Sequence, residues 1–123
     1  MKNQKQEMLL TEELSSQFEE ICRQQFFAAK NFKNSLYNKL YRQMELVVSD
    51  LKSRPGDGRR ALLPLRTHGN PQVRLMAANC TLSIDYAGSL ATLEALAQLD
   101  QFPTAMSSKS MLRALRDGTY VPT

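Results

Sequence analysis

Tryptophan is absent from this chain of 123 residues, histidine occurs once and cysteine twice, and each scarcity removes a class of chemistry. Cys22 and Cys80 lie far apart with no CxxC partner, which leaves neither a disulfide framework nor a zinc site. Among apolar helical neighbours they read as small reduced core residues. The lone histidine, His68, stands beside Gly69 at an expected helix end, where capping accounts for it; general acid–base work would also need an orienting partner and a pocket. Glu12 with Glu13, and Glu19 with Glu20, are adjacent and so diverge on a helix, which suits a solvated face better than a metal site. No glycine-rich phosphate loop, GxSxG elbow or metal-ligand spacing occurs. The expectation is a protein that is not an enzyme and uses no metal or cofactor. Long apolar runs are missing too. None approaches the roughly 18 residues of a membrane span, and the opening MKNQKQEMLL holds only a short apolar pair, too little for a secretory signal. A soluble, cytoplasmic protein with no membrane partner is expected.

What remains is a composition suited to one folded domain. Hydrophobic residues make up 42% and charged residues 23%, and at this length folding can bury roughly two-thirds of the surface. The domain is expected over residues 11–123, behind a flexible stretch at 1–10. Leu14, Phe18, Ile21, Cys22, Phe26 and Ala29 predict a first helix from about 11 to 30, opened by a Thr11 cap. Leu36, Leu40, Met44, Val47 and Leu51 predict a second, ending near Arg54 because the residue before Pro55 is pushed out of the helical region. PGDG at 55–58 is a turn, and Asp57 is placed to cap a third helix, kinked at Pro64, from about 58 to 68. A fourth starts at Asn70 and carries Val73, Met76, Ala77, Cys80, Leu82 and Ile84. After a break around 85–89, a fifth holds Leu90, Leu93, Leu96 and Ala97 and ends at Phe102 and Pro103; a sixth runs over 104–117 and stops at Gly118.

The sharpest joint is LRTHGNPQVRLMA, residues 65–77. A cation suits a helix's last turn and glycine the left-handed residue after it, while an asparagine cap followed by proline opens the next helix. Two helices must fold back there. Six helices in three antiparallel pairs, with corners near 31–34, 69–70 and 102–104, repeat at about 40 residues, the period of HEAT and armadillo repeats. The expected fold is all-α: a short HEAT- or armadillo-like α-α superhelix of about three helical hairpins. A plain helical bundle fits the same stripes, and only the period favours a stack.

Four segments together carry a resemblance: LYNKLYRQM (36–44), GRRALLPLRTHGNPQVRLMAA (58–78), the FP of Phe102 and Pro103, and the ending DGTYVPT (117–123). Over residues 11–123 the chain resembles a small uncharacterised bacterial family with a HEAT-like α-α superhelical fold, a domain of unknown function. Where that family usually carries a glycine-containing link before its last helix, this chain has TAMSSKS at 104–110. The resemblance implies a fold and a bacterial cytosolic setting, and no activity.

Charge is unevenly spread. Residues 52–74 hold Lys52, Arg54, Arg59, Arg60, Arg66 and Arg74 against Asp57 alone, whereas the rest of the chain carries ten bases and eleven acids. A local basic patch attracts acidic partners, either phosphate backbones or carboxylate-rich protein surfaces. Arg59 and Arg60 lie near a helix start, where bases are mildly unfavourable. Arg74, in V-R-x-x-A-A, resembles the HEAT arginine that ties one repeat to the next. Tyr37 and Tyr41 are one turn apart beside Arg42, residue types that often anchor interfaces, and they would equally close the edge of a core. If the second helix of each pair lines a concave side, Tyr41, Arg42, Arg74, Lys109 and Arg113 share one groove. The candidate partner-binding residues are therefore Tyr37, Tyr41, Arg42, Arg59, Arg60, Arg66, Arg74 and Arg113. The expected function is a non-enzymatic binding module acting on a protein partner, with an immunity- or antitoxin-like role as one form; a basic chain is a poor match for immunity to a nuclease in particular. The alternative is a nucleic-acid binder, against which stand the single aromatic pair and the modest charge.

Overall fold

A computed structural model describes residues 4–123 of the protein. The described chain forms five α-helices and one long 3₁₀ segment, with no strand among the described residues. It falls into two compact units, Met1–Leu62 and Leu63–Thr123.

In the first unit, α1 (Gln4–Lys30) and α2 (Asn34–Lys52) pack on each other across a three-residue link. α1 begins seven residues before the expected Thr11 cap, because nothing in QKQEMLL resists a helix and most of these residues favour one. Residues 1–3 of the stretch expected to be flexible lie outside the described residues. The inward stripe of α1 is Phe18, Cys22, Gln25 and Ala28, and that of α2 is Leu40, Met44 and Leu51, both at the spacing that keeps side chains on one helix face. Gln25 is fully buried, and its amide nitrogen donates to the Met44 sulfur at 3.5 Å. The link closes by a Schellman pattern: the Lys33 amide donates to the Ala28 carbonyl at 2.9 Å and Phe32 takes a left-handed φ of 56°.

After α2 the chain turns at Arg54–Asp57, where the Asp57 amide donates to the Arg54 carbonyl at 3.0 Å and Gly56 supplies φ 72° behind Pro55. That is the proline-then-glycine chemistry of a type II turn. The kinked third helix expected over 58–68 is instead a ten-residue 3₁₀ segment, Gly58–Thr67. Pro64 explains the difference, since it has no amide to give and its ring would strike the carbonyl four residues back in an α-helix. The carbonyls of this poorly bonded segment are taken up by side chains: Arg66 Nε donates to the Leu63 oxygen at 3.1 Å and the Thr67 hydroxyl to that of Pro64 at 3.0 Å.

The second unit holds α3 (Pro71–Cys80), α4 (Tyr86–Ala97) and α5 (Thr104–Asp117). All three helices pack against one another, and α3 is the most enclosed, burying Pro71, Gln72, Val73, Leu75, Met76, Ala77 and Ala78. Its start is as expected: the Asn70 side chain accepts from the amides of Gln72 at 2.8 Å and Val73 at 3.3 Å, with Pro71 in the first turn. The other half of that corner differs. Gly69 is not left-handed; the turn is closed by the His68 ring, whose Nδ1 accepts from the Asn70 amide at 2.9 Å. A ring nitrogen in the accepting role serves there where a cation was expected.

α3 ends at Cys80, short of the expected Ile84, because the Thr81 hydroxyl turns back onto the Ala77 carbonyl at 2.7 Å. α4 starts earlier than Leu90, at Tyr86, on an Asp85 cap that accepts from the Gly88 amide at 3.2 Å, and it ends at Ala97 before reaching Phe102. α5 stops at Gly118, with φ 73°, as expected. Cys22 and Cys80 are both free thiols.

Candidate functional site

The basic run at 52–74 was expected to be a charged surface. Most of its arginines are instead committed to acceptors of the protein. In the first unit Arg59 is buried, and its guanidinium grips the Asp57 carboxylate with Nε at 2.9 Å from Oδ1 and Nη2 at 2.6 Å from Oδ2, while its backbone amide donates to the same Oδ1 at 3.1 Å. Asp57 thus caps the 3₁₀ segment and pairs with its second residue, which is what keeps a base so near the start of this segment. The Arg59 guanidinium holds the Asp57 carboxyl below its ordinary value, with partial burial opposing. Arg54 pairs with Asp50 at 3.2 Å. Arg60 stays exposed and donates to the Gly56 carbonyl at 3.1 Å. A shallow concavity of about 340 Å³ lies over this turn, lined by Met8, Thr11, Glu12, Arg54, Arg60 and Ala61 among others.

The second unit brings Arg66 and Arg74 together. Arg66 leaves the 3₁₀ segment and reaches α4: Nη1 donates to Asp85 Oδ2 at 3.0 Å and to the Ser89 hydroxyl at 3.2 Å. Ser89 is fully buried and shares a 2.8 Å hydrogen bond with Thr81, which passes it on to the Ala77 carbonyl. Gly88 has a steric reason, since a Cβ there would run into the Asp85 carboxylate and the Arg66 guanidinium. The Gly88 amide first, and Arg66 second, hold the Asp85 carboxyl below its ordinary value. Arg74 reaches back from α3 to the His68 carbonyl at 3.2 Å, so it ties α3 to the chain preceding its own cap. Both guanidinium groups border one open groove of about 420 Å³, whose remaining lining is Ala91, Thr92, Ala95 and Leu96 of α4 and Leu99 just past its end. This places two fixed cationic groups beside an apolar strip.

The other expected residues fall elsewhere. Tyr37, Tyr41 and Arg42 are on α2 of the first unit, Tyr37 half-buried, Tyr41 and Arg42 exposed. Arg113 is exposed on α5 of the second unit and does not line the groove. The residues missed in the sequence are those of α4. Their signal was a four-residue spacing, Ala91, Ala95 and Leu99, easily taken for core packing. A further concavity in the second unit, about 640 Å³, is lined by Asn79, Phe102, Met106, Met111, Ala114 and Tyr120 among others. Among the described residues no group of three or more His, Cys, Asp or Glu is placed to hold a metal ion, and no helix is long and apolar enough to cross a membrane.

Comparison with known proteins places this architecture. A crystal structure of the protein RPA1889 from Rhodopseudomonas palustris CGA009 is 35% identical, with a TM-score of 0.88 over 92% of this chain and 93% of that one. No curated protein matches. Residues 12–116 match a family described as a domain of unknown function, DUF2019, and that span includes both the Asp57–Arg59 turn and the Arg66–Arg74 groove. The chain belongs to the DUF2019 family.

Proposed function

We propose that this protein is a non-enzymatic, HEAT-like binding module that acts in a bacterial cytoplasm by holding another protein. The observation that carries the reading is the state of the basic run. Arg54, Arg59, Arg66 and Arg74 each have an acceptor within the protein, so the charge excess offers far fewer donors to a phosphate backbone than a count of bases suggests. A duplex binder gains affinity by neutralising many phosphates. A protein interface needs instead a few ordered cationic or aromatic anchors beside apolar area, and arginine is prominent among them. The groove of the second unit has that make-up.

The test is affinity capture of the tagged full chain from a bacterial lysate, with and without nuclease, at low and high salt. A stoichiometric protein that survives nuclease, resists salt and is lost when the groove is altered supports the module. Nucleic acid recovered at low salt and lost steeply as salt rises overturns it.

A further inference from the structure

We propose that the outer face of α5, with the concavity beside it, takes an acidic amphipathic helix of a partner protein. The proposal rests on the binding-module reading, and adds to it a second surface of the same unit and the chemistry of what that surface holds. Charge complementarity carries it. Lys109, Arg113 and Arg116 lie outside the basic run, and all three are exposed on α5. Among the described residues, none of the three has a hydrogen bond or an ion pair. They differ in this from Arg66 and Arg74, whose guanidinium groups are held by acceptors of the protein. The only acid of α5 is Asp117, its last residue, so three cations stand on this helix with one carboxylate at its far end. Such a stripe attracts a partner surface rich in carboxylates.

Spacing sets the shape of the partner. Met106, Lys109, Arg113 and Arg116 follow one another at intervals of three, four and three residues, which makes them one line along the helix surface. Ser107, Met111 and Ala114 form the neighbouring line, and with Phe102, Met106 and Tyr120 they line the concavity. Phe102 and Met106 are 63% and 59% exposed. An apolar seam with cations along one edge is how one helix receives another, apolar residues in the seam and opposite charges on the flank. Two other occupants match less well. In a twofold pairing of α5 with a second copy, the cations of both copies would meet across the seam, like charge against like. A nucleic acid draws its affinity from many phosphate contacts, which three cations on one helix do not supply, and much of the concavity is aliphatic. Carboxylates three or four residues apart on a partner helix answer all three cations at once.

The experiment titrates the ¹⁵N-labelled full chain with a synthetic helical peptide of about 18 residues, leucine and alanine forming its seam and glutamates one flank. The same peptide with glutamine for glutamate, a scrambled peptide of the same composition, and single- and double-stranded DNA oligonucleotides serve as comparisons. The expected result is shifted Nε–H signals of Arg113 and Arg116 and shifted amides from 102 to 120, with about tenfold or greater loss of affinity for the glutamine peptide, since charge-assisted hydrogen bonds are roughly twice as strong as neutral ones. Arg113→Glu, at an exposed helical site, is expected to cut affinity by a similar factor with helix content unchanged, because it sets like charges against each other; Lys109→Glu repeats the test one turn away. Met106→Ser, which removes apolar area and leaves the charge alone, is expected to weaken binding by a smaller factor. Equal affinity for the glutamine or the scrambled peptide, shifts confined to other surfaces, or tighter binding of either oligonucleotide overturns the proposal. A nuclease-resistant protein captured equally by wild type and Arg113→Glu also overturns it, while leaving the binding-module reading intact.

Discussion

Phe32 takes a conformation that its residue type resists. Its φ of 56° lies in the left-handed region, and its ring is 76% exposed, so little packing offsets a backbone cost of about 1 kcal/mol. Glycine is the usual residue at that point of a Schellman turn. Phe32→Gly is expected to raise stability by about 1 kcal/mol, read as a higher urea midpoint with unchanged helix content; a lower midpoint would mean that the ring contributes more than its exposure suggests. A gain would leave the aromatic ring without a folding role and direct attention to the exposed Phe27 and Leu36 nearby in sequence. Asn70 is the opposite case, a residue whose type, backbone and bonding agree. Asn70→Ala removes an acceptor for two amides of α3 and is expected to cost about 1 kcal/mol. An unchanged urea midpoint would show that water replaces the cap at no cost. This corner was legible in the sequence because a cap and a proline act within one turn. The closing role of His68 was not, since nothing local distinguishes a ring that accepts from a ring that carries charge.

At the scale of elements, legibility followed the range of the deciding force. α2 and α5 appeared close to where their apolar periods put them, because periodicity is a property of each segment alone. The 3₁₀ segment did not, because Pro64 tips a balance between two helix types that share nearly the same apolar pattern. The α4 start was missed for a related reason: Asp85 is a good cap, but the glycine three residues on reads as a breaker until Asp85 and Arg66 are seen to occupy its space. The groove itself was half legible. Arg66 and Arg74 were named from charge, yet that both are anchored within the protein depends on acceptors up to 23 residues away. Gly88→Ala tests that anchoring. The substitution brings roughly 1 kcal/mol of helix propensity, and it displaces the Asp85 cap and the Arg66–Asp85 ion pair, which oppose that gain. The expected outcome is a urea midpoint near wild type together with an altered Arg66 Nε–H signal, as the guanidinium leaves Asp85. An unmoved signal would show that the network accommodates a methyl group and that Gly88 has no part in setting the groove.

For the molecule as a whole, the two aspartates with lowered pKa set how stability responds to acid. Asp57 in the first unit is held down chiefly by its hydrogen bond to Arg59, and Asp85 in the second chiefly by the Gly88 amide and then Arg66. A carboxyl that binds its proton less readily when folded contributes stability above its unfolded value, and loses it as pH falls through the folded one. The ordinary value is 3.8 for both, so the contribution is complete at neutral pH and disappears below that value. Asp57→Asn is the informative variant, since asparagine also tolerates the left-handed φ of 64° found there and can still accept from the Arg59 amide, leaving the charge as the main difference. Urea midpoints of wild type and Asp57→Asn are expected to differ at pH 7 and converge at a pH well below 3.8, where both side chains are neutral. A gap of constant size across that range would mean that the Asp57–Arg59 pair acts through shape and hydrogen-bond geometry alone. In that event the internal commitment of the basic run would remove none of its positive field, and the argument against a phosphate-bearing partner would lose its electrostatic half.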